Sequence, residues 1–254
     1  MAMTRVKTEK EIENMRVSGR MLATVLDLLR SKVGEGQTTK EIAILASKEL
    51  NLLGGEPAFL GFNGFPDVIC ISVNEEIVHG VPSKSRVIKK GDLLSLDFGV
   101  SYQGMITDSA ITVAVSGSDP QDLIATTERS LYAGIDTIKS GVHIGDIGQA
   151  VEQVLSQQDF GIVRDLVGHG VGHELHEEPN IPNYGHAGAG ISLKEGMTVA
   201  IEPMATLGAE EVIIDNDGWT IKTRDNSLSA HFEHTILVKD NGYEILTALP
   251  GSKD

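Results

Sequence analysis

Four carboxylates stand where apolar strands are expected. Leu93-Leu94-Ser95-Leu96-Asp97-Phe98-Gly99 places Asp97 inside a run that otherwise reads as core, and Asp108 follows across a turn around Tyr102–Gly104, where a hairpin brings it beside Asp97. Thr198-Val199-Ala200-Ile201-Glu202-Pro203 embeds Glu202 in the same way, and His231-Phe232-Glu233-His234-Thr235-Ile236-Leu237-Val238 embeds Glu233. A single such acid is ordinarily a strand residue facing water, since alternation exposes every second position. Four of them, unpaired and charged in an apolar setting, would cost several kcal/mol each, on the order of the penalty for any buried ion. Divalent cations relieve that repulsion most directly. Oxygen-rich ligation with one imidazole suits Mn²⁺, Fe²⁺, Co²⁺ or Zn²⁺ in an open site, and His169, between Gly168 and Gly170, reads as the imidazole ligand with room for close approach. Two metals about 3.5–4 Å apart, bridged by carboxylates and sharing a water, is the arrangement this ligand count supports.

Other motifs are absent. There is no Walker A pattern, and His173-Glu174-Leu175-His176 has the wrong spacing for the His-Glu-x-x-His zinc motif. The Gly-rich stretches at Gly168–Gly172 and Gly185–Gly190 lack the strand-before, helix-after setting of a dinucleotide fingerprint. Among the histidines, His143, His173, His186, His231 and His234 read as ordinary polar or surface groups.

The elements that must position these residues fall into two sets. Ile12, Met15, Leu22, Leu26 and Leu29 form one stripe of a helix over Glu9–Arg30, and Thr38 with Glu41 is a capping box that opens a second helix ending near Gly54–Gly55. Strands follow at Val68–Val73, Leu93–Gly99 and Met105–Val115. A third helix is expected from about Pro120 to Ile138, with Gly141 just past its end, and a fourth with Asp146 as its N-cap. The remainder reads as strands: Thr198–Glu202, Glu211–Ile214, Trp219–Lys222, Ala230–Val238 and Tyr243–Leu246. Helices then strands, twice over and without a linker, imply an α+β fold of two similar halves in a single domain, residues 1–254.

Lys and Arg number 21 against 36 Asp and Glu, a formal net charge of −15, which disfavours a nucleic-acid partner. Cys70 is the single cysteine, so a disulfide within the chain and a multi-cysteine zinc site are excluded. The N-terminus, Met1–Lys10, has no signal-peptide core, and no apolar run reaches membrane-spanning length. A reducing cytoplasm fits, with no membrane partner.

Five segments resemble the type I methionine aminopeptidases: Val73-Asn74-Glu75…His79-Gly80-Val81-Pro82; Gly168-His169-Gly170-Val171-Gly172…His176-Glu177-Glu178-Pro179; Gly196-Met197…Ile201-Glu202-Pro203-Met204; Asp217-Gly218-Trp219-Thr220; and Ser229-Ala230…Glu233-His234-Thr235. The likeness runs from Ile12…Met15-Arg16…Gly19 to Glu244-Ile245-Leu246-Thr247. It implies a pita-bread fold, two pseudo-symmetric halves about a central antiparallel sheet. It also implies removal of the initiator methionine from new proteins, with a small second residue preferred. Asp97, Asp108, His169, Glu202 and Glu233 become the ligands of two divalent metals, Asp108 and Glu233 bridging both. Glu202 is also the general base, His176 stabilises the oxyanion, and His79 holds the scissile amide nitrogen. Phe62, Phe65, Cys70 and Trp219 line the methionine slot, with Leu175 beside them. The resemblance further implies a monomer acting on nascent N-termini, near the ribosome.

Some residues depart from the family's usual wording. Asp97-Phe98-Gly99…Tyr102-Gln103-Gly104…Asp108 reads more like the proline-specific peptidases of the same fold. Leu175 stands where an aromatic is common, His231 where Gln is usual, and Phe62 and Phe65 where Tyr is frequent. An Xaa-Pro aminopeptidase or prolidase is therefore the nearest rival, and a non-catalytic peptide-binding module of this fold a remote one.

Overall fold

The computed structural model describes residues 2–117, 119–249 and 251; the first residue of the chain and the last three of the 1–254 span lie outside them. Helix α1 (Glu9–Lys32) begins directly after Thr8 because Thr8 and Glu11 form a reciprocal capping box. The expected stripe is its inner face: Met15, Leu22, Leu26 and Leu29 are all buried. Helix α2 (Thr39–Leu53) opens on the Thr38–Glu41 box and stops at Gly54 in the left-handed region. Both helices lie on a sheet whose central strand, Leu93–Tyr102, pairs along its whole length with Met105–Ala114. The turn between them uses Gln103 and Gly104, both at positive φ, the hairpin geometry that matches strand twist. Cys70–Val73 and Glu56–Pro57 share the opposite edge of the central strand.

The second half repeats the plan. Helices α3 (Leu123–Ile135) and α4 (Ile144–Ser156) cover an antiparallel sheet ordered Gly242–Ile245, His234–Lys239, Thr198–Ile201, Gly168–Gly170, Glu177–Ile181. Smaller sheets flank it. One joins Ser229–His231, Met204–Thr206 and Gly161–Ile162, and the other joins Val212–Ile214, Ile221–Thr223 and Glu76–Val78. One apolar cluster runs through both halves, from Leu22 and Ile42 to Val199 and Ile236.

Several boundaries differ from the sequence reading, each for a local reason. Asp146 is not the N-cap of α4: His143 is, and the Asp146 carboxylate reaches back from the first turn to accept the His143 N–H at 2.9 Å. Helix α3 starts at Leu123, because Pro120–Asp122 forms a separate 3₁₀ turn with Gln121 and Asp122 at positive φ. Trp219 lies in the turn before its strand, where Asp217 accepts from the Trp219 and Thr220 N–H groups. Ala230–Val238 is not one strand but two, Ser229–His231 and His234–Lys239, broken at Phe232–Glu233 where the chain passes from one sheet to another.

That break is the seam between the halves. Glu233 and Ala110 exchange backbone hydrogen bonds (2.9 and 3.3 Å). On either side hydroxyls stand in for the missing ladder. Thr112 Oγ1 donates to the His231 carbonyl and accepts from its N–H, Thr235 Oγ1 does the same for Asp108, and Ser109 Oγ donates to the Glu233 carbonyl. Replacing Thr235 by Val keeps the volume but strands the buried Asp108 N–H. Thr235→Val is expected to lower stability by about 1–3 kcal/mol, the cost of one such group. Urea unfolding of the two proteins measures it, and equal midpoints with equal slopes would refute the role given to this hydroxyl.

Candidate metal centre and substrate pocket

The seam holds the acids. Asp97 and Asp108 lie on one face of the hairpin as a diagonal pair, since Asp97 faces Ala110 and Asp108 faces Gly99 across the strands. Glu233 enters from the other half at the Ala110 bridge. An oxygen of each of Asp97, Asp108 and Glu233 lies within 4.8 Å of the others, and the same holds for ligand atoms of His169, Glu202 and Glu233. Glu233 therefore belongs to both groups. His169 Nε2 is 3.4 Å from Glu202 Oε1. The five residues expected from the sequence come to one place.

The Gly-His-Gly run works differently from its sequence reading. A Cβ at Gly168 would come within 2.4 Å of the Ala200 carbonyl, and one at Gly170 within 2.7 Å of the Glu178 carbonyl. The glycines admit neighbouring strands rather than a ligand. They let His169 settle opposite Ala200, two residues before Glu202. Its Nδ1 lies 3.0 Å from the Gly170 carbonyl; a carbonyl only accepts, so Nδ1 carries the proton and Nε2 keeps its lone pair for a cation.

Burial dominates the electrostatics. It pushes the Asp97, Glu202 and Glu233 carboxyls well above their ordinary range, with mutual repulsion adding, and raises Asp108 to about 7. Asp97 Oδ1, Asp108 Oδ1 and Glu233 Oε1 are buried without a hydrogen-bond partner among the described residues. Orphaned oxygens converging with a bare imidazole nitrogen are a donor set that fits divalent cations. Burial likewise lowers His169 to about 3 and His176 to about 4, and lowers His79. All three rings are neutral at physiological pH.

His176 stands over the acids, its ring 4.3 Å from that of His169 and edge-on to Phe62 at 5.2 Å. The loop before it is pinned by Glu177, which accepts from the His173 and Glu174 N–H groups and from the buried Lys7 ammonium at 3.1 Å. His79 faces the same cavity at φ 60°, a left-handed conformation uncommon outside glycine. The cavity, of about 240 Å³, has apolar walls from Phe59, Phe62, Phe65, Cys70, Leu175 and Trp219, with Phe65 and Trp219 in edge contact at 5.3 Å. Cys70 sits opposite Asp97 in the strand register, and burial and that carboxylate raise its thiol well above its ordinary value, so it offers bulk rather than a nucleophile.

Phe59 and His231 are among the wall and floor residues that were not legible beforehand. Phe59 belongs to a loop with no periodic signal. His231 reads as an ordinary polar histidine, yet it is 1% exposed and lines the cavity with both ring nitrogens unpartnered among the described residues. The other histidines set aside by the sequence reading differ from it. His173 pairs with Glu11 at 2.8 Å and His234 with Thr247 at 2.8 Å, both outside the cavity.

Two duplicated helix-on-sheet halves around a buried acid–imidazole cluster define a metallopeptidase of the pita-bread class. The model of metallopeptidase family M24 matches residues 13–240. Methionine aminopeptidase 1 of Bacillus subtilis is 43% identical over 243 residues, covering 95% of this chain and 98% of the relative. The Escherichia coli methionine aminopeptidase is 38% identical, covering 95% and 93%. The crystal structure of the Thermotoga maritima methionine aminopeptidase superposes with a TM-score of 0.94 at 44% identity, covering 96% of this chain and 99% of that one. Prolidase from Pyrococcus furiosus shares the fold at a TM-score of 0.78 and 24% identity, with only 66% of its chain covered. The chain belongs to the methionine aminopeptidases of metallopeptidase family M24.

The raised carboxyls give the metal-free protein a signed pH dependence. A group whose folded pKa lies above its unfolded value stabilises fully below the unfolded value and loses that contribution as pH rises through the folded one. Metal-stripped protein is therefore expected to lose stability as pH rises from about 7 to 8, where the raised carboxyls are giving up protons; below that span His169, His176 and His231, lowered to about 3, about 4 and about 3, work in the opposite sense. Glu11, Asp225 and Glu244, held down to about 2, act below that window. Adding Mn²⁺ should abolish the loss and release protons. Melting curves with and without chelator read the first effect, and calorimetry in buffers of different ionisation enthalpy reads the second. A flat chelated profile without proton release would contradict the assignment.

Proposed function

We propose that Asp97, Asp108, His169, Glu202 and Glu233 hold two divalent ions, and that Glu202, His176 and His79 carry the proton transfers of peptide hydrolysis. The protein is a metal-dependent aminopeptidase that removes the initiator methionine from polypeptides. The observation that carries the reading is the joining of an apolar, aromatic-walled slot to a buried acid–imidazole cluster in one cavity. Bound there, divalent cations would lower the pKa of a water and polarise the scissile carbonyl.

The chain's own residues do the rest. Glu202, whose Oε1 lies 3.4 Å from His169 in the acid–imidazole cluster, takes the water's proton and returns it to the departing amine. His176, neutral, donates its N–H to the developing oxyanion. His79 holds the amide nitrogen as the amine leaves. Phe59, Phe65, Cys70, Leu175 and Trp219 enclose the methionine side chain and exclude water from it. Phe62 steadies the His176 ring by its edge contact.

A finer setting is part of the proposal. The chain acts as one catalytic domain, 1–254, and as a monomer in the cytoplasm, on nascent N-termini with a small second residue as they leave the ribosome. What supports the single domain is the continuous core through both halves; among the described residues no helix is long and apolar enough to cross a membrane. The net charge of −15 argues against nucleic acid as a partner.

The test offers Met-Ala-Ser beside Ala-Pro-Ala to metal-reconstituted protein, with Glu202→Ala as control. Release of methionine alone is expected, falling about 10²–10⁴-fold in the control as a lost general base does. Cleavage before proline would favour the prolidase-like reading, and no cleavage of either with metal bound would favour a binding module.

A further inference from the structure

Among the described titratable side chains that line the cavity, His231 is one for which the reaction above has no use. Its backbone is clamped on both sides, to Thr112 at the seam and to Met204 in the sheet register. Its ring has little freedom as a result, and it is buried with neither nitrogen hydrogen-bonded among the described residues. A buried polar ring left that way is costly, so it calls for a partner that arrives with function. Nε2 lies 3.8 Å from Glu202 Oε2, while His169 Nε2 lies 3.4 Å from the other oxygen, Oε1. The Glu202 carboxylate is thus bracketed by two imidazoles, one at each oxygen.

The two imidazoles cannot have the same job. His169 spends its proton on the Gly170 carbonyl and presents a lone pair. His231 has no such anchor, and an ionised carboxylate oxygen can only accept. We propose that His231 is a positioning residue. Its Nε2–H donates to Oε2 of the ionised Glu202 and holds that carboxylate with Oε1 turned toward the cation site beside His169. This rests on the metallopeptidase reading above. A neighbour of this kind raises affinity by fixing a ligand's orientation and costs about 10–100-fold when removed. A glutamine side chain also carries an N–H donor, so it could fill the same role.

The test titrates metal-stripped wild type, H231A and H231Q with Mn²⁺ alone in a calorimeter at fixed pH, and repeats H231A in an E202A background. H231A is expected to weaken a binding step about tenfold or more. H231Q should regain most of that loss, and in the E202A background H231A should change nothing further. Unchanged affinity in H231A, H231Q as weak as H231A, or an equal loss without Glu202 would each overturn the proposal. Should H231A fail to fold, H231N replaces it. Its amide is a methylene too short, so it should bind weakly where H231Q binds well, and equal affinities would again overturn the role. Wild type that takes up no Mn²⁺ would overturn the metal site itself and the inference with it.

Discussion

Everything in this molecule answers to the crowding of four carboxylates into a space with too little water to keep them apart. Left to themselves they hold their protons more tightly than ordinary carboxyls do, as the upward displacement of Asp97, Asp108, Glu202 and Glu233 records. The fold imposes the crowding by bringing two half-structures edge to edge. Asp97 and Asp108 come from one, Glu202 from the other, and Glu233 from the crossing point itself. The seam cannot be an ordinary ladder, because the chain changes sheets there. Threonine and serine hydroxyls, which both donate and accept, span the offset. A handful of short hydroxyl bonds keeps the ligand oxygens within reach of common cations.

The imidazoles around this cluster divide the labour that the acids cannot perform. Acidic groups bind cations and accept protons; a transition state with negative charge on oxygen also needs donors. Burial keeps His79 and His176 neutral, so each retains one N–H to give and gains no charge to compete for the metals. The pinning of the His176 loop by Glu177 and Lys7 is what makes such a donor useful, since a mobile ring would reorganise during the reaction. Across the cavity, the aromatic wall contributes shape with little freedom to lose.

The sequence was most informative where physics made a residue anomalous. A carboxylate within Leu-Leu-Ser-Leu-Asp-Phe-Gly or Thr-Val-Ala-Ile-Glu-Pro stands out against its surroundings, and the capping boxes at Thr8 and Thr38 and the stripe from Met15 to Leu29 follow from local geometry alone. Legibility ended where the decisive partner is distant. Alternation from Ala230 to Val238 reads the same whether the chain forms one strand or crosses between two, and the crossing is decided by Ala110. Asp146 carries a helix-start signal but acts from inside the first turn, since the side chain reaches back. Phe59 and His231 look like any aromatic and any histidine until the seam and the cavity are assembled. Gly168 and Gly170 were noticed for the right residue and the wrong reason: the space they free is taken by the carbonyls of Ala200 and Glu178.

The distribution of ligands along the chain also constrains how such an enzyme comes into being. Asp97 and Asp108 are local to one hairpin and meet as soon as it closes, but they form only a like-charged pair. His169 and Glu202 follow much later, and Glu233 arrives near the end of the chain, at the crossing that joins the halves. Contacts so far apart in sequence must meet the entropy of closing long loops before they repay anything. Translation therefore delivers the repulsive part of the centre first and its completing member last. An unfinished polypeptide holds only the two acids of that hairpin, so the full cluster is not assembled until the second half has packed onto the first.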